Sequence, residues 1–339
     1  MGRQEMLFNP VMEKVDGIKK PVMPYEEDKE QTDNPYQFDK DQNDMPLFTD
    51  KNIAFVNGMV ENDSNYNQTD KDEVREIFKG MFVGNAHERM ACIGRAVYEI
   101  DNENSTHLTA VGRHKVDDIM KKLDLKPMTV EKMSDDGEGE KTITGGVLFT
   151  SQIIAGIEGL RERLSVGDDQ LVADISKASK TYLNEAHVAD INKINFSFAT
   201  KFCHWTCQYL ELGDKYCIYD KVVASVFPNF VDNYASGELA SLDCCRMKRI
   251  KGSKGSRELV STIENYKKED DGYTKYRKLY DAVLEGINTW RSQNDQNGEI
   301  GYREVDRLIW YYFKGASGKR IKQALAAIDC WGAGRCCIK

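Results

Sequence analysis

Along most of this chain apolar residues recur three and four positions apart, the spacing of amphipathic helices, and strand-like alternation is scarce. "DEVREIFKGMFVG" and "HERMACIGRAVYEI", within residues 72–100, predict a helix pair with Gly84 as its stop, and "GRHKVDDIMKKLDL" at 112–125 predicts another, ended by Pro127. "SDDGEGEKTITGG" at 134–146 is acidic and glycine-rich with no apolar period, which predicts a linker or exposed loop. Helical patterns follow at 151–164, 168–188, 194–210, 220–233, 256–268, 272–292, 301–314 and 317–329. From about 20 to 75 the chain is polar except for "NIAFVNGMV" at 52–60, so a loosely ordered arm is expected there, pinned by Phe48, Phe55 and Val56. The expectation is an all-α, many-helix fold: an acidic, partly disordered N-terminal arm (1–75), a helical region with its linker (76–146) and a helical domain (147–339) with no internal repeat.

One helix in this series is unusual. Projected at 3.6 residues per turn, Phe196, Ala199, Cys203, Cys207 and Leu210 fall on one face, and Phe198, Phe202, Trp205 and Tyr209 on the opposite one. A helix apolar on two opposed faces is buried. Its polar residues form a narrow strip, Ser197, Lys201, His204 and Gln208, which must look into a cleft or a polar interior so that the lysine ammonium is not stranded.

Nineteen positions after Lys201, Asp220 opens the apolar run "KVVASVF" behind the turn signal "LGDKY". As an N-cap its carboxylate accepts hydrogen bonds from the first amides of the helix, which fixes it in place and keeps it ionised. A lysine in a desolvated pocket facing such a carboxylate has the makings of a nucleophile, because desolvation favours the free amine. Spacing alone leaves two readings open. One is catalytic; the other is a structural pair, or a lysine that snorkels outward beside a plain helix cap.

"INFSFATKFCHW" followed by "YCIYDKVV" resembles the core of the helix-hairpin-helix DNA glycosylase superfamily, in particular its 8-oxoguanine-glycosylase-like branch and a group of bacterial proteins with that fold. The likeness is close over about thirty residues and holds in outline over 147–339. It implies a base flipped out of duplex DNA, stacked on Trp205 or Tyr219, with Ser197, His204 and Gln208 lining the pocket. Asp220 would stabilise the positive charge that develops on the deoxyribose, and Lys201 would attack the anomeric carbon to give a Schiff base that can proceed to strand scission. One stretch departs from the pattern. Where the family has a glycine-containing hairpin turn that holds a DNA phosphate, this chain reads "EAHVADINKIN", without glycine. Lys193 in that stretch is the rival nucleophile; Lys201 is preferred because nineteen residues to Asp220 suit the family and twenty-seven do not. The alternative from another class is a catalytically inactive descendant that keeps the fold as a nucleic-acid-binding or interaction module.

The formal net charge of −8 at first argues against DNA. Residues 1–80, however, hold 18 acidic and 10 basic side chains, and the other 259 residues carry 37 of each sign. The body of the chain is therefore free to present a basic face. "RMKRIKGSKGSRE" at 246–258 provides one: Arg246, Lys248, Arg249, Lys251, Lys254 and Arg257 precede or flank two glycines, a composition suited to a phosphate-contact loop. The basic tail from Lys314 extends it.

The nine cysteines, an odd number with no export signal ahead of them, are expected to be reduced thiols in a cytoplasmic protein. Cys203 and Cys207 fall on an apolar helix face, and Cys330, Cys336 and Cys337 lack the spacing of an iron–sulfur site. No metal or other cofactor is expected. No window approaches the roughly eighteen apolar residues of a membrane span. The expected partner is duplex DNA bound by a monomer, with no membrane.

Overall fold

A computed structural model describes residues 11–15, 18–22, 38–42, 45–62, 68–104, 108, 128–132, 139–143, 145–185, 194–235, 247–251, 257–261 and 266–313. These residues are mostly helical, consistent with the all-α expectation, and no described helix is long and apolar enough to cross a membrane. Contacts group the chain into two compact units, Met1–Tyr66 with Cys217–Lys339, and Asn67–Tyr216, where the sequence pattern suggested divisions at 75 and 146.

The contiguous unit contains helices α2 (Gln68–Gly80), α3 (Ala86–Asn104), α4 (Gly145–Ala155), α5 (Leu160–Val166), α6 (Asp169–Glu185) and α7 (Phe196–Tyr209). The predicted pair at 72–100 is present as α2 and α3, and Gly84 lies in the turn between them with φ 90°. Asn85 caps α3: its Oδ1 accepts the amides of His87 and Glu88, and Glu88 Oε2 reaches back to the Asn85 amide at 2.8 Å. This reciprocal box satisfies donors that a helix start leaves orphaned. The helix expected over 151–164 is instead two, because the chain turns at 156–159, where Gly159 takes φ 60°. Part of the expected 134–146 loop is ordered: β3 (Met128–Lys132) and β4 (Gly139–Ile143) pair antiparallel, and Gly145 already begins α4. The helix expected at 112–125 lies outside the described residues.

α7 is the hub of this unit, packing against α2, α3, α5 and α6. That placement explains why it is apolar on two sides. Phe198, Ala199, Phe202, Cys203 and Cys207 are all essentially inaccessible, as are Phe78, Val97, Ile154, Leu164 and Val172 around them.

The discontinuous unit joins α1 (Asp50–Asn62) to α8 (Lys221–Tyr234), α9 (Gly272–Gln293) and α10 (Tyr302–Phe313). Its hairpins are β1 (Val11–Val15) with β2 (Ile18–Val22), and β5 (Met247–Lys251) with β6 (Arg257–Ser261). The arm expected over 20–75 thus contains a helix, Asp50–Asn62. Phe48 and Val56 do pin it, being fully buried, with Phe48 against Phe230 and Tyr234. What the polar composition hid is that polar residues do the ordering: Asn52, itself inaccessible, donates to the Asp39 and Leu47 carbonyls and accepts the Asp39 amide. The helix expected over 256–268 is a second correction, since Arg257–Ser261 is a strand; a neighbouring strand supplies the hydrogen bonds that override a short helical pattern. The helix expected at 317–329 lies outside the described residues.

Candidate functional site

Lys201 belongs to the contiguous unit, on the second turn of α7, and is buried at 8% exposure. Ser197, His204 and Gln208 lie on α7 with it, and the C-terminal half of this strip has a defined task. His204, 2% exposed, places Nδ1 2.7 Å from the Tyr216 carbonyl, so this nitrogen carries the proton and donates. Asp214 Oδ1 lies 3.9 Å from the same nitrogen, and Gln208 Nε2 approaches it at 3.4 Å. These two side chains fasten the segment that leaves α7. Tyr216 completes the attachment, its hydroxyl reaching the Arg163 and Asp168 carbonyls at 3.1 and 3.3 Å. At the other end of the strip Ser197 is half-buried, and its carbonyl accepts the Thr200 hydroxyl. Trp205 is half-buried and lies edge-on to His204, with ring centroids 5.2 Å apart. Cys203 and Cys207 are buried thiols raised by desolvation, Cys207 to about 12, and Cys207 Sγ donates to the Leu164 carbonyl. They are packing groups rather than nucleophiles.

Asp220 belongs to the discontinuous unit. It caps α8, with Oδ1 2.8 Å from the Val223 amide and the backbone extended. The residues before it, Cys217, Ile218 and Tyr219, are buried, and tyrosines of α9 hold them: Tyr276 donates to the Ile218 carbonyl at 2.7 Å and Tyr273 to that of Cys217 at 3.4 Å. Tyr219 is 5% exposed and edge-on to Tyr276 at 5.5 Å. The apolar approach "YCIYD" is thus a rigid lead that delivers the carboxylate to the first turn of α8.

Of the basic residues at 246–258, Lys248, Arg249 and Lys251 are on β5 and Arg257 on β6, with Lys251 and Arg257 opposite one another in the register. The stretch is a hairpin rather than the expected loop. Arg246, Lys254 and the rival nucleophile Lys193 lie outside the described residues.

Two clusters of polar residues were not signalled by any sequence pattern. Arg291, 2% exposed, donates to the carbonyls of Phe48, Gly298 and Asn297 and pairs with Asp50 at 2.8 Å. Asp50 also accepts the amide and side-chain nitrogen of Asn297. The second is a cleft of about 320 Å³ at the C-terminal end of α7, lined by Arg75, Lys79, Val83, Arg161, Tyr209, Leu210 and Glu211. Their sequence separation is the reason neither was visible.

No protein-family model, no curated protein and no solved structure matches this chain. Among the described residues no cluster of histidine, cysteine and carboxylate side chains is arranged to hold a metal ion.

Proposed function

We propose that this protein is a DNA glycosylase, with lyase capability, that removes a damaged or modified base from duplex DNA. The observation that carries the proposal is the occurrence of two features within one short stretch of sequence: a lysine buried on a hub helix, and an aspartate whose carboxylate accepts the Val223 amide at a helix head. Both stand in the segment whose wording resembles the glycosylase superfamily.

In this mechanism a flipped nucleotide presents its sugar to Lys201, with Trp205 as the partly exposed aromatic surface for the base. As the N-glycosidic bond breaks, its electron pair leaves with the base, which takes a proton, and positive charge builds on the deoxyribose. The resemblance assigns the stabilisation of that charge to Asp220. The Lys201 amine bonds to the anomeric carbon and gives up a proton to the ring oxygen as the C1′–O4′ bond opens to a Schiff base; removal of a C2′ proton by water then expels the 3′ phosphate and cuts the strand. No step requires a metal.

Borohydride trapping on duplexes that carry oxidised or alkylated bases tests this directly. A covalent adduct with the wild-type protein and with Lys193→Ala, but none with Lys201→Ala, is the expected result. An adduct lost only in Lys193→Ala transfers the nucleophile to that residue. Absence of both base release and adduct across substrates leaves a nucleic-acid-binding module in its place.

A further inference from the structure

Arg75 from α2, Lys79 one turn further on, and Arg161 from the start of α5 converge on the end of α7, where Tyr209 and Leu210 form the apolar wall of the cleft. Tyr209 is held there by stacking on Phe78, with centroids 4.6 Å apart. Arg161 is held with its guanidinium 5.7 Å from the Phe82 ring centroid, and Val83 stands at the lip, 66% exposed. Among the described residues, three cations thus line this cavity with one carboxylate, Glu211. Arg75 and Lys79 also meet acids of their own helix: Asp72 lies 3.8 Å from Arg75, and Glu76 2.7 Å from Lys79.

Two details point to an anionic ligand. Arg75 Nε is buried and meets no acceptor among the described residues, an arrangement that an arriving oxyanion relieves. Glu211 is the other. Its backbone sits at φ 56°, in the left-handed region where a helix stop is ordinarily glycine, and its carboxylate reaches Arg75 at only 3.5 Å. A strained residue places a loose, replaceable carboxylate against the guanidinium.

We propose that this cleft binds a phosphate group, with Glu211 as the resident anion that the phosphate displaces. Arginine forks match phosphate oxygens in pairs, and a tetrahedral oxyanion meets donors arriving from three elements, which a planar carboxylate does not. The proposal rests on the glycosylase reading for its source, the backbone of the bound DNA. Tyr209 is eight residues beyond Lys201 on the same helix, about 12 Å along its axis, so a phosphate held here sits within reach of the same strand.

The test uses the full-length protein with two probes, inorganic phosphate followed by calorimetry and a labelled duplex with an abasic-site analogue followed by anisotropy. The variants are Glu211→Gln and the double change Lys79→Ala with Arg161→Ala. The double variant is expected to weaken duplex binding about tenfold or more and to make the salt dependence shallower by about two contacts. Glu211→Gln is expected to tighten both probes several-fold, a gain that no loss of structure produces. Variant-sensitive binding of inorganic phosphate with no duplex binding upholds the phosphate site and removes the DNA source. Duplex binding and base release that are equal in all variants overturn the cleft and leave the glycosylase proposal intact. Unchanged binding of both probes by cooperatively folding variants also overturns it.

Discussion

Asp220 caps α8, and the role proposed for its carboxylate can be separated from the cap. As a cap it satisfies the Val223 amide, which asparagine also does, whereas alanine does not. Asp220→Asn is therefore expected to leave the urea midpoint unchanged, and Asp220→Ala to cost about 1 kcal/mol. If the carboxylate stabilises charge on the sugar, both variants lose about 100-fold or more in base release under single turnover. Equal activity of Asp220→Asn and wild type would reduce the residue to a cap. Arg291 is the second residue whose deletion separates effects. Its guanidinium is almost inaccessible and serves three carbonyls besides Asp50, so Arg291→Met is expected to destabilise by about 3 kcal/mol, read from urea unfolding. The same cluster responds to acid. The Asn297 amide, with Arg291 adding to it, holds the Asp50 carboxyl below its ordinary value; the Lys51 ammonium chiefly does the same for Asp39. A carboxyl lowered in the folded state contributes stability above its unfolded value, near 4, that is lost as pH falls through the folded value. The expected outcome is an unfolding free energy that drops below about pH 4, with a shallower drop in Asp50→Asn.

At the scale of elements, the contact between α8 and α9 depends on a missing side chain. A Cβ at Gly286 would stand 2.0 Å from the Tyr234 carbonyl oxygen, a backbone atom that yields only if a helix moves. Gly286→Ala is therefore expected to cost about 1–3 kcal/mol despite alanine's better helix propensity, and to broaden the near-ultraviolet dichroism of the aromatic cluster around Phe230 and Tyr234. Helix existence was largely legible from sequence here, since periods of three and four survive wherever one face of a helix is buried. Helix ends and breaks were less so. The split between α4 and α5 turns on one glycine at positive φ, and β6 forms because β5 lies beside it, a fact absent from its own five residues.

At the scale of the molecule, the discontinuous unit is built from chain segments about 240 residues apart, and Arg291, Asp50 and Phe48 are where they meet. The polar arm is consequently part of a core. Removal of residues 1–49 takes away Phe38, Met45 and Phe48, all buried, and with them the rings that pack on Tyr312, Phe230 and Tyr234. At about 1.5–3 kcal/mol for each large apolar side chain, this is expected to abolish cooperative unfolding of that unit, seen as loss of a thermal transition in tyrosine fluorescence.

The sequence by itself determined that α7 is a buried helix with a polar strip and that Asp220 caps the next one, because both follow from local period and capping chemistry. Tertiary structure alone decided that His204 and Gln208 bind the departing chain, that an acidic arm closes a hydrophobic core, and that Arg75, Lys79 and Arg161 share one cleft. Charge and hydrogen bonding act through space, and three cations at positions 75, 79 and 161 form no basic run; only the packing of α2 and α5 against the end of α7 makes them one site.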